Sequence, residues 1–141
     1  MILLDTNVLS ALMRQEIDPA VVIWLDAQPP ESIWTTAVTV FEIRFGLELL
    51  PASRRRRRLE AAFEAALEED LEGRVVSFDH PAAEAASAMA ACRQREGRPV
   101  EIRDLMIAGI ASARKAVLAT RNSSHFEGLG VPLINPWSAG V

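Results

Sequence analysis

Apolar residues in this chain fall into two alternating kinds of run: short unbroken blocks, and longer stretches where they recur every three or four positions. Met1 to Leu4 is a block of the first kind, closed by Asp5, and predicts a strand. A helical pattern follows from Asn7 to Met13. Asp18-Pro19 then supplies an N-cap and a proline at the first helical position, and Val21, Val22, Trp24 and Leu25 carry an apolar stripe until Pro29-Pro30 stops it. Ile33 to Thr36, β-branched and aromatic, predicts a second strand. From Ala37 to Leu50 the spacing of Val38, Phe41, Phe45 and Leu49 marks a helix face with Glu42 beside it. Pro51 closes that helix. Ser53 caps a longer one reaching about Leu71, with the stripe Leu59, Ala62, Phe63, Ala66 and Leu67.

Gly73 ends the long helix, Arg74 to Phe78 predicts a third strand, and Asp79 with Pro81 starts a helix through an Ala-rich stretch to Glu96, with Gly97 just past its end. After the Gly97-Arg98-Pro99 loop come a helix from about Ile102 to Lys115, a strand from Ala116 to Thr120, a polar loop and a last strand from Pro132 to Ile134. Strands and helices alternate throughout. That order predicts an α/β fold, a three-layer α/β/α sandwich around a mainly parallel sheet of four to five strands. Without an internal repeat, linker or low-complexity tail, residues 1–141 are read as one domain.

Composition narrows the setting. Half the residues are hydrophobic, enough for a core without staples. Cys92 is the only cysteine, so no intramolecular disulfide forms, and a lone thiol suits the reducing cytoplasm. No stretch approaches the roughly 20 apolar residues that span a bilayer, and the amino terminus shows no signal peptide, so no membrane association is expected. The net charge of -4 argues against a general nucleic-acid coat. The cations are nearly all arginine, however, with Lys115 the sole lysine, and arginine grips phosphate in a bidentate way.

In a parallel sheet, ligands bind beyond the carboxyl ends of the strands. Asp5 follows the first strand, Glu42 lies in the helix after the second, Asp104 opens the helix after the Gly97 loop, and Asn122 follows the strand ending at Thr120. Taken singly, each has an ordinary role: Asp5 and Asp104 as first-turn or capping acids, Glu42 as a solvated helix residue, Asn122 as a turn residue. Together they would repel unless a cation sat among them, and a hard divalent ion such as Mg²⁺ or Mn²⁺ takes oxygen ligands of this kind.

Five blocks in order carry a resemblance to a known family: Leu4-Asp5-Thr6-Asn7-Val8-Leu9, Val40-Phe41-Glu42-Ile43-Arg44-Phe45-Gly46, Ile102-Arg103-Asp104-Leu105-Met106-Ile107-Ala108, Ala119-Thr120-Arg121-Asn122 with Phe126-Glu127-Gly128, and Ile134-Asn135-Pro136-Trp137. The chain resembles PIN-domain toxins of the VapC and FitB kind over essentially its whole length. The resemblance implies a metal-dependent endoribonuclease, the toxin of a type II toxin-antitoxin pair. Asp5 and Asp104 would be the principal ligands of Mg²⁺ or Mn²⁺, Glu42 a further acid, and Thr6 a hydroxyl that orients a ligand or water. The fourth family position, often Asp, is Asn122 here, which keeps an oxygen donor and removes a charge. The resemblance also implies a homodimer, a VapB-like antitoxin whose carboxyl-terminal arm covers the pocket with a basic side chain, and DNA binding only through the antitoxin complex.

Other features are read more plainly. Arg54 to Arg58 is either a solvated face balanced by Glu60, Glu64, Glu68 and Glu69 or a contact for RNA phosphates or an acidic partner. Arg121 and Arg103 adjoin site residues and are candidate phosphate contacts. His125 reads as an exposed loop residue, His80 as structural, Cys92 as non-nucleophilic, and Trp24, Trp34 and Trp137 as core or interface fillers. Two other functions compete: a different metal-dependent phosphoryl hydrolase built on the same acids, and a degenerate PIN-fold binding module without turnover, favoured by Asn122. A Rossmann-type nucleotide site is disfavoured because the turn after the first strand, Asp5-Thr6-Asn7, has no glycine.

Overall fold

Each alternation of block and stripe becomes a strand followed by a helix in the computed structural model, which describes residues 1–139. The last two positions of the expected 1–141 domain, Gly140 and Val141, lie outside the described residues. The strands are β1 (Ile2–Leu4), β2 (Ile33–Thr36), β3 (Val75–Val76), β4 (Val117–Ala119) and β5 (Leu133–Ile134). The helices are α1 (Thr6–Leu12), α2 (Pro19–Asp26), α3 (Ala37–Leu49), α4 (Arg54–Ala65), α5 (His80–Arg95) and α6 (Ile102–Arg114).

The sheet has the order β3-β2-β1-β4-β5, and every pairing is parallel. Strand β1 is central, with Leu4 in register with Thr35 on one side and Ala119 on the other. From β1 the chain builds outward through β2 and β3, then returns to β4 on the opposite side. The order of connection therefore reverses at β1 and β4, and their carboxyl ends flank the crevice where a parallel sheet receives ligands.

Alternate residues of each strand face opposite layers. Leu3 and Leu118 join one core with Ala82 of α5 and Ile107, Ile110 and Ala111 of α6. Leu4 and Ala119 join the other with Val8, Leu9, Trp24, Ile43, Leu47 and Phe63. The predicted caps form: Asp18, Ser53 and Asp79 side chains accept from the backbone N–H groups of Ala20, Arg56 and Ala82. Gly73 and Gly97 adopt positive φ after their helices, as the predicted stops require.

Two helices depart from the simplest reading of their stripes. The apolar helix face marked by Phe41, Phe45 and Leu49 is the outer side of α3: these residues are 56%, 49% and 71% exposed, and the two phenyl rings stack 5.9 Å apart. Val38 alone of that set is buried; the inward side carries Thr39, Ile43 and Leu47 at four-residue spacing. The helix is apolar on two sides, so periodicity did not decide which one meets the sheet. The long helix also does not stay α-helical to Leu71. It widens into a π turn over Ala66–Asp70, where the Leu71 N–H reaches back five residues to the Ala66 carbonyl and the Leu71 side chain turns fully into the core.

Among the described residues no helix is long and apolar enough to cross a membrane.

Helices α5 and α6 approach closely at Gly109, where an added Cβ would lie 2.5 Å from the Ala82 carbonyl oxygen and 2.7 Å from Ala86 Cβ. In an open helix Gly→Ala gains about 1 kcal/mol. Here backbone lies in the way, and Gly109→Ala is expected to lose about 1–3 kcal/mol instead. Urea unfolding followed by circular dichroism reads the difference, and a stabilised variant would mean the two helices separate freely.

Candidate active site

The site begins with how β1 ends. Asp5 is the N-cap of α1 and only 5% exposed. Its Oδ1 accepts from the Thr6 backbone N–H at 2.8 Å. Its Oδ2 accepts from the Thr120 hydroxyl at 2.7 Å and from Asn7 Nδ2 at 3.3 Å. The same Thr120 oxygen accepts from Asn7 Nδ2 at 3.3 Å and from the Asn122 N–H at 3.1 Å. Asn7 Oδ1 in turn accepts from the Arg121 N–H at 3.0 Å. The ends of β1 and β4 are thus tied through side chains. Burial raises the pKa of Asp5, and the hydrogen bonds from Thr120 and Thr6 oppose that rise.

Glu42 projects from α3 toward α1. Its Oε1 accepts from the Thr6 hydroxyl at 3.1 Å, and its Oε2 lies 3.9 Å from the Arg103 guanidinium. Burial raises its pKa as well, against the Thr6 hydrogen bond and the charge of Arg103. Asp104 stands in the first turn of α6, whose N-cap is Glu101; the Glu101 carboxylate accepts from the N–H groups of Arg103 and Asp104. Asp104 Oδ2 lies 3.4 Å from His125 Nδ1. Its pKa is raised to about 6, chiefly by burial and then by the negative charge of Asp5, with His125 pulling the other way.

These side chains border one open pocket of about 350 Å³ at the carboxyl ends of the strands. Asp5, Thr6, Glu42, Asp104, Asn122 and Arg103, all named from sequence, line it together. Arg121 does not: its guanidinium sits 4.7 Å from the Trp137 ring centre, so the side chain is held on that indole. Asn122 is exposed on the rim. Sequence reasoning missed four members of the environment, Asn7, Thr120, Glu101 and His125. Asn7 was legible as part of the Asp5-Thr6-Asn7 turn. Thr120 read as an ordinary strand residue, Glu101 as a loop residue, and His125 as loop surface, because only the fold brings them to Asp5 and Asp104.

Among the described residues no three Asp, Glu, His or Cys side chains are poised as a ready metal cluster. Glu42 is engaged by Thr6 and Arg103, and Asp104 faces His125. The donor set nevertheless fits a hard divalent ion. Such an ion keeps several waters and needs one or two carboxylates, and Asp5 is a carboxylate close enough to Asp104 for its charge to raise the Asp104 pKa.

The family profile of the PIN domain matches residues 2–130. The VapC ribonuclease Y4jK of Sinorhizobium fredii is 41% identical over 97% of this chain and 98% of its own length. Toxin FitB of Neisseria gonorrhoeae is 33% identical, covering 97% of this chain and 99% of the relative. The solved structure of FitAB bound to an IR36 DNA fragment contains a chain that superposes with a TM-score of 0.86 at 33% identity, over 97% of this chain and 96% of that one. Fold, profile and near-full-length relatives agree, and the chain belongs to the PIN-domain family, among the relatives of the VapC and FitB toxins.

Proposed function

We propose that this protein is a metal-dependent endoribonuclease, the toxin of a type II toxin-antitoxin pair. The observation that carries the reading is that Asp5 and Asp104 line one pocket at the sheet's switch point, where burial and the charge of Asp5 press Asp104 toward its protonated form unless a cation intervenes. The ribonuclease named among the relatives supports RNA as the substrate.

Asp5 and Asp104 would hold Mg²⁺ or Mn²⁺, with Glu42 as a further acid. A divalent ion held by these residues would supply positive charge to stabilise a phosphodiester transition state and to lower the pKa of water. The chain's own residues do the positioning. Thr6 N–H and the Thr120 hydroxyl fix both oxygens of Asp5, so the carboxylate is preorganised. The Thr6 hydroxyl orients Glu42, and Arg103 sets a cation at the rim where a phosphate enters. Asn122 contributes a neutral oxygen in place of a fourth charge.

A VapB-like antitoxin is proposed to cover the pocket with an arm bearing a basic side chain, neutralising the same acids, and to carry the DNA binding of the complex. The FitAB–DNA assembly is the supporting precedent. The chain is proposed to pair with a second copy through the exposed Phe41, Phe45 and Leu49 face of α3. Asn122 and the engaged state of Glu42 favour a second reading, a PIN-fold binding module without turnover, acting through its antitoxin complex.

Purified wild-type protein in Mn²⁺ is expected to cleave single-stranded RNA, and Asp5→Asn to slow that cleavage by on the order of a hundredfold or more. Equal rates would sink the assignment, and an inert wild type that still binds the antitoxin would favour the second reading.

The raised pKa of Asp104 has a signed consequence. The folded protein holds this proton more tightly than an unfolded chain, whose aspartate titrates near 3.8, so stability falls as pH rises from that value through about 6. On account of this group alone, metal-free protein is expected to be about 1–2 kcal/mol less stable near neutrality than below about pH 4, a figure discounted for partial solvent access. Asp104→Asn removes most of that slope in thermal unfolding scans; an unchanged slope would put its origin elsewhere.

Phe41→Ser with Phe45→Ser is expected to shift the chain from dimer to monomer in sedimentation. A wild type already monomeric would refute the proposed pairing.

A further inference from the structure

A second groove, of about 470 Å³, runs outward from the acid pocket between α1, α3 and α4. Thr6 and Glu42 form part of both walls, so the two spaces share a boundary. Its floor is aliphatic, with Met13, Ile43, Leu47 and Leu59, and its rim carries Arg14, Arg55 and Arg58. Glu42 is the sole acid that lines it.

The arginine run divides into two kinds of residue. Arg56 is consumed within the fold: its guanidinium bonds Glu60 at 2.7 Å, Glu48 at 3.2 Å and the Leu50 carbonyl at 3.0 Å. Glu64, another acid expected to balance the run, pairs with Arg44 instead. Among the described residues Arg14, Arg55 and Arg58 have no ion pair. Arg55 and Arg58 stand three apart in the first turns of α4, neighbours on one side of the helix, where the dipole disfavours cations. A polyanion lying along the groove would relieve that repulsion and leave the acid pocket at one end of its path.

Resting on the ribonuclease reading, we infer that this groove is the track for the RNA strand on one side of the scissile phosphate, with Arg14, Arg55 and Arg58 contacting successive phosphates. The aliphatic floor accepts base faces without reading their edges. No aromatic residue lines it, so the track holds the strand by its backbone and is tolerant of sequence. Bare cations continuous with the acids favour a nucleic-acid strand over a protein helix as occupant.

The test measures binding of a short fluorescein-labelled oligouridylate by anisotropy across a salt series, in an Asp5→Asn background so that the probe stays intact. Gel analysis of the probe reports separately whether Asp5 is needed for cleavage. Arg55→Ser with Arg58→Ser is expected to flatten the slope of log affinity against log salt by about 1.4, the loss of two single-strand phosphate contacts. Arg54→Ser with Arg57→Ser, which removes the same charge from residues outside the groove lining, is expected to leave the slope within error of the parent. Equal flattening in both pairs would reduce the effect to net charge and overturn the track. An unchanged slope in the groove variant, with loss of its antitoxin complex, would make the groove a protein dock and also overturn it, while cleavage by the wild type would still stand.

Discussion

Burying a carboxylate is among the costlier things a small fold does, and the arrangement at the end of β1 depends on how that cost is met. Asp5 stays in place because the turn into α1 offers a backbone N–H, the end of β4 offers a hydroxyl, and Asn7 spans the two. These partners oppose the effect of burial without cancelling it. Asp104 meets the remaining charge from the opposite wall and is driven upward in turn. A doubly charged cation at that place would offset the desolvation of both acids at once, so the burial that raises both pKa values would also favour binding of the ion.

Much of the scaffold was legible because strand and helix signals agreed locally. The three-residue block before Asp5, the proline-bounded Ile33 to Thr36 and the caps at Asp18, Ser53 and Asp79 each had a mechanism and each formed. Sequence decided less where it left two solutions. Helix α3 is apolar on two sides, and only the packing of Ile43 and Leu47 under α1 and α4 decides that Phe41 and Phe45 point outward. The π turn at Ala66 has no propensity signature; it lets both Ala66 and Leu71 reach the core.

The site was legible to a different degree. Acids at strand ends stand out, and Asp5, Glu42 and Asp104 lie around one pocket. The residues that aim them do not stand out. Thr120 is one of several β-branched residues at strand ends, and its bond to Asp5 joins positions 115 apart in sequence. Arg121, beside Asn122 in sequence, lies on Trp137 because residues adjacent on a loop need not point the same way.

The Thr120 hydroxyl repays a last count. It has one hydrogen, given to Asp5, and two lone pairs, taken by Asn7 and by the Asn122 N–H. Its hydrogen-bonding capacity is full, so the loop bearing Asn122 and the carboxylate beyond β1 are tied to one and the same oxygen atom. A change in how that loop sits is therefore felt first at the residue that holds Asp5.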